Sequence, residues 1–145
     1  MRPTILSVLC VFAVLLAACG GDAPEAATAV PATATAATDV LEITSEAQFN
    51  AEIAKARPGV VVVADFHAEW CGPCKKLGPD LVDLATTHPG KLVVLKVDID
   101  QQPQLANRFQ ADSIPLLIKF SAGKESERQV GYGGKDKLAT WLAIP

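Results

Sequence analysis

Five residues in the middle of the chain, Val60-Val61-Val62-Val63-Ala64, constrain the architecture more than any others. β-Branched side chains without polar alternation suit a strand covered on both faces, as in a mainly parallel sheet packed between helices. Directly downstream comes Trp70-Cys71-Gly72-Pro73-Cys74, so the strand runs into a cysteine pair. After the pair, Leu77, Leu81, Leu84 and Ala85 recur at helical spacing, with Pro79 as an expected kink.

The flanking segments extend this pattern. Val40-Leu41-Glu42-Ile43 reads as a short strand, and Ser45 as the N-cap of a helix with Phe49, Ile53 and Ala56 on one face, stopped by Pro58-Gly59. His88-Pro89-Gly90 is a turn before a second buried strand at residues 92–97. A short helix is expected from about Asp100 through Leu105 and Phe109, then a strand over residues 114–120 in which Lys119 points outward. A turn at Ala122-Gly123, a hairpin partner at residues 128–130 and a helix over residues 135–142 complete the order. That order predicts an α/β fold, with a central mixed sheet of a parallel half plus an antiparallel edge hairpin, flanked by helices on both faces.

At 145 residues the chain has room for one ordinary domain and some targeting or linker sequence. Arg2 precedes an apolar run over residues 5–18 broken only by Ser7, short of the ~20 apolar residues of a transmembrane helix and better matched to a signal peptide. The run ends in Leu16-Ala17-Ala18-Cys19-Gly20-Gly21, which resembles the bacterial lipoprotein signal, where a cysteine after small residues is lipidated. From residue 20 to residue 38, fourteen of nineteen residues are Ala, Thr or Pro, too poor in large apolar groups to offset the entropy of ordering. The expected organisation is a signal peptide (1–18), lipidated Cys19 with a flexible linker (19–38), and a folded domain (39–145). A linker of that length reaches ~25 Å from its anchor. The net charge of −3, with basic residues scattered among acidic ones, provides no stripe to neutralise a phosphate backbone, so nucleic acid is not an expected partner.

Of four cysteines, Cys10 falls in the signal peptide and Cys19 carries the lipid, which leaves Cys71 and Cys74 for chemistry. A CxxC pair serves either zinc or redox exchange. Structural zinc takes four protein ligands and catalytic zinc three. His67 and His88 are the only histidines, and His88 sits in a turn beyond a long helix, so no metal and no other cofactor is expected. Redox exchange fits the context, because the free amides and dipole at a helix N-terminus stabilise a thiolate at Cys71, the expected nucleophile. Cys74, one turn on, is placed to resolve a mixed disulfide, and Gly72 and Pro73 keep the turn tight.

The segment Asp65-Phe66-His67-Ala68-Glu69-Trp70-Cys71-Gly72-Pro73-Cys74-Lys75 resembles the active site of the thioredoxin family. Pro79, Lys96-Val97-Asp98-Ile99-Asp100, Ile114-Pro115 and Gly131 continue the resemblance in order over residues 40–145. The resemblance implies a thioredoxin fold and a protein-disulfide oxidoreductase. It implies that Asp65 accepts the proton of Cys74, that Lys96 tunes Asp65, and that Pro115 is cis, leaving the Ile114 backbone to pair with an extended substrate. Trp70 and Gly131 then border the substrate groove. His67 departs from the family, which commonly has Trp or another aromatic there; it either alters the site's electrostatics or fills the same packing slot. Ser113 also departs from the usual residues.

These readings converge on a monomeric, lipid-anchored enzyme of the bacterial cell envelope, facing the periplasm or extracytoplasmic space and acting on protein disulfide substrates. Because an oxidising compartment drives Cys71–Cys74 to the disulfide, a reductase there needs a membrane electron relay as donor. A disulfide oxidase or isomerase, a non-catalytic binding or chaperone module, and a metal carrier are the alternatives.

Overall fold

The structure, a computed structural model, describes residues 39–144. The expected signal peptide (1–18), Cys19 and the expected linker (19–38) lie outside the described residues. In chain order the elements are β1 (Val40–Glu42), α1 (Glu46–Ile53), β2 (Val61–His67), α2 (Gly72–Thr87), β3 (Leu92–Asp98), α3 (Pro103–Phe109), β4 (Leu116–Ser121), β5 (Lys124–Val130) and α4 (Lys135–Leu142). The sheet runs β1-β3-β2-β4-β5. β1, β3 and β2 are parallel, while β4 and β5 join as an antiparallel hairpin against β2. This is the expected mixed sheet, and the valine run lies at its centre.

Local chemistry explains most of the boundaries. Ser45 caps α1 by accepting the Gln48 N–H at 3.2 Å, one of the donors that helix geometry leaves free, and the Gln48 side chain returns to accept the N–H of Thr44, just before the cap, at 2.9 Å. α1 ends at Ile53, before Pro58-Gly59, and Ala56 is buried beyond the helix rather than on it. α3 starts at Pro103 rather than Asp100, because proline suits a first helical turn, where its missing N–H would be unpaired anyway. β4 begins at Leu116, two residues later than expected: the ladders to β2 and β5 start there, and Ile114 and Pro115, joined by a cis peptide, stand outside them. Its hairpin turns through Ala122 (φ 49°) and Gly123 (φ 75°), the left-handed pair that matches strand twist.

Side chains alternate across each strand, so β2 feeds two separate cores. Val62, Ala64 and Phe66 pack with Phe49, Phe109 and Phe120 beneath α1 and α3, with ring centroids 5.2–6.5 Å apart. Val63 packs on the other face with Leu77, Leu81, Leu84, Leu138 and Leu142 of α2 and α4. Lys119 does not point outward into solvent as expected. It shares the α4 side of β4 with Leu117, its side chain is only 12% exposed, and its Nζ reaches Glu127 at 2.9 Å and the Trp141 carbonyl at 2.8 Å, 4.8 Å from the Trp141 ring centroid. The partners that let this cation be buried come from β5 and α4, too far along the chain for the strand pattern to reveal.

Candidate active site

The valine strand ends where α2 begins, and the cysteines occupy that junction. Cys71 is the N-cap of α2, its Sγ accepting the Cys74 N–H at 3.2 Å, and Gly72 and Pro73 form the first turn. The two sulfurs are joined in a disulfide with Cα atoms 5.3 Å apart. Gly72 is exposed, and a Cβ added there would meet nothing among the described residues within 4 Å. On reduction, the same amide and the helix N-terminus favour a thiolate at Cys71. Pro79 lies within α2 and cannot donate to the Lys75 carbonyl, a break in the ladder one turn beyond the cysteines.

Cys71 and Cys74 pack with Ala68, Ile99 and Ile114. Ile114, joined to Pro115 by a cis peptide, is thus brought against the disulfide from forty positions beyond Cys74 in the sequence. Among the described residues the Ile114 amide and carbonyl take no main-chain partner. Gly131 sits alongside: its φ of 83° lies in the left-handed region that favours glycine, and its N–H donates to the Pro115 carbonyl at 2.8 Å. Trp70 is 67% exposed, and its Nε1 donates to Asp100 Oδ2 at 2.9 Å. The sequence provided no signal that Asp100 orients this indole.

Behind the disulfide lies a cavity of about 620 Å³, lined by Cys74, Asp65, His67, Lys96 and Glu42 together with residues of α2. Asp65 is 1% exposed, and its Oδ1 has no hydrogen-bond partner among the described residues. Burial lifts its carboxyl from the usual 3.8 to about 7, against a smaller opposing pull from Lys96 and with a small further push from Glu42. Lys96 is directly opposite Asp65 in the ladder, yet its Nζ is drawn to Glu42 on β1. Tuning of Asp65 by Lys96 is therefore shared with Glu42, a residue that sequence reasoning missed because it lies 54 positions from Lys96. His67 is half-buried opposite Asp98, and its Nε2 is also without a partner among the described residues. Burial, then Lys96, hold its imidazole below the usual 6.5, while Glu42 and Asp98 partly offset this.

A family model described as Thioredoxin matches residues 40–144. The chain is 46% identical over 99 residues to a thioredoxin of Chlamydia trachomatis, spanning 68% of this chain and 92% of that one. It is 40% identical over 98 residues to a thioredoxin of Staphylococcus aureus, spanning 68% and 90%. Among solved structures, a mutant thioredoxin from Halobacterium salinarum aligns with a TM-score of 0.64 at 30% identity, spanning 72% of this chain and 89% of that one.

Proposed function

The chain belongs to the thioredoxin family, and from that premise we propose that it is a protein disulfide reductase working outside the cytoplasm, anchored to a bacterial membrane by a lipid on Cys19. Its class follows from the family: it is a thiol–disulfide oxidoreductase, and the family acts on protein disulfides. One observation carries the mechanism. The Cys71–Cys74 disulfide caps α2, and Cys74 lines one cavity with the buried Asp65 carboxyl, whose Oδ1 has no hydrogen-bond partner among the described residues.

In the reduced enzyme the Cys71 thiolate attacks one sulfur of a substrate disulfide. The substrate S–S bond breaks, a Cys71–substrate disulfide forms, and the other substrate sulfur leaves as a thiolate that takes a proton from water. Asp65 then accepts the Cys74 proton, the Cys74 thiolate attacks Cys71 Sγ, and the second substrate sulfur departs with the electron pair of the bond it loses. Two electrons have passed to the substrate, and Cys71–Cys74 is the disulfide again. A carboxyl that titrates near neutrality is matched to this transfer, because it is both a competent acceptor and able to release the proton. The substrate chain lies along Ile114, Pro115 and Gly131, with Trp70 as the apolar rim, while His67 and Lys96 tune the acid.

Outside the cytoplasm the disulfide has to be reduced again after each turnover, which calls for a membrane electron relay as donor. The reduction potential of the pair tests the direction. A value of about −270 mV, the figure familiar for thioredoxin itself, supports the reductase, and one of about −120 mV makes the protein an oxidant. Labelling with radioactive palmitate tests the anchor. Incorporation that disappears in Cys19→Ser, together with release of the variant from membranes, supports it, and unlabelled wild-type protein refutes it. We expect a monomer by light scattering.

A further inference from the structure

Asp65 and His67 lie two apart on β2, and so share the face that Val63 presents to α2. Their Oδ1 and Nε2 are the buried side-chain polar atoms without a hydrogen-bond partner among the described residues. Buried polar atoms are nearly always satisfied, by water where protein does not serve. Both residues line the same cavity of about 620 Å³ as Cys74. Liquid water occupies about 30 Å³ per molecule, so the space admits several. An ionised carboxylate and the bare nitrogen of a neutral imidazole both only accept hydrogen bonds. A donor held in the cavity they share would satisfy both, and water is such a donor.

We propose that His67 is a positioning residue for the resolving step: with Asp65 Oδ1, its Nε2 anchors the water through which the Cys74 proton leaves the buried carboxyl for solvent. The inference rests on Asp65 as proton acceptor. The proton passes from Cys74 Sγ to the Asp65 carboxylate, and from the resulting carboxylic acid through the His67-held water to the open side of the cavity. Cys74 meanwhile forms its bond to Cys71, and the substrate sulfur leaves with the electron pair. His67 ends the cycle in the state in which it began.

The charges facing His67 set its working range. Across the ladder on β3 are Asp98 and Lys96, beyond them Glu42 on β1, on its own strand Asp65, and from α2 Lys75 beside Cys74. Glu69 borders the cavity from the loop before α2. Burial and Lys96 outweigh Asp98 and Glu42, which favours the neutral imidazole, and the tautomer with its proton on Nδ1 leaves Nε2 as the acceptor the proposal requires. Protonation at lower pH converts that nitrogen to a donor and disrupts the arrangement.

The test uses the full chain in detergent, pre-reduced and rapidly mixed with insulin as the protein disulfide, with both half-reactions followed across the pH range. Because the Asp65 carboxyl titrates near neutrality and has to be discharged through this water before it can accept the Cys74 proton, His67→Phe, which preserves an aromatic in the slot, should slow the resolving step about tenfold at neutral pH while leaving mixed-disulfide formation unchanged. His67→Gln, which keeps an acceptor for the water but cannot titrate, should recover most of the wild-type rate and lose the acid-side inflection due to His67. Wild-type rates in His67→Phe overturn the proposal. So do equal slowing in both variants and an unchanged pH profile, since a packing role predicts these. If His67→Phe does not fold, the pH profile of His67→Gln decides. Asp65→Asn separates the two readings: if it leaves resolution at the wild-type rate, the proton-acceptor role itself falls. If it slows resolution while His67→Phe does not, only the present inference falls.

Discussion

The two faces of the sheet are built from the same strands and do opposite things. Toward α1 and α3, β2 contributes Val62, Ala64 and Phe66 to a core of four interlocked phenylalanines with no buried polar side chain among its members. Toward α2 it contributes Val63, then Asp65 and His67, and the apolar packing gives way to a cavity that reaches Cys74. The switch comes from alternation alone, since Phe66 lies between the two polar residues and points the other way. One strand thereby supplies both the rigid support and the ionisable groups. The closed face holds the geometry, while the open face tolerates an unpartnered carboxyl at a cost in stability.

Separating chemistry from packing gives the sharpest break between the faces. Cys71→Ser should reduce turnover of a protein disulfide more than about a thousandfold, since the remaining thiol cannot complete the cycle. Chemical unfolding of the reduced forms should show little change, because the packing beneath is untouched. On the closed face the pattern reverses. Phe49→Ala removes the ring that meets Phe66, Phe109 and Phe120, and should lower stability by about 3–5 kcal/mol in denaturant titration, with the activity per folded molecule retained.

The open face should reveal itself through pH. Folding raises the Asp65 carboxyl from 3.8 to about 7, so above the lower value the unfolded chain gives up a proton that the folded protein keeps. Fewer protons bound in the unfolded state means that stability falls as pH rises. It is fully present below about pH 4 and diminished by about 4 kcal/mol once pH passes about 7. Asp65→Asn should flatten this dependence in guanidinium titrations of the oxidised protein and be the more stable form at neutral pH. An unchanged slope would mean that the carboxyl is not the group whose burial opposes folding. The smallest effect lies at the rim of the closed face, where Ser45→Ala should cost about 1 kcal/mol through loss of the Gln48 cap and leave the pH slope unaltered.

Much of this molecule is written in short stretches of its sequence. The valine run, the Leu77, Leu81 and Leu84 spacing, the Ser45 cap and the α4 limits are settled by neighbours within a turn or two, and the cysteine pair at a strand–helix junction indicates redox exchange without reference to the rest of the chain. The family resemblance supplied Asp65, Ile114, Pro115 and Gly131 as site residues, and folding gathers them around the disulfide or its cavity. Tertiary structure alone decided how far Asp65 is buried, that Lys96 pairs with Glu42, that Trp70 is held by Asp100, and that Lys119 turns inward to Trp141. The physical reason is one of range. Periodicity and capping act between residues near in sequence, whereas desolvation and ion pairing depend on which distant segments the sheet sets side by side.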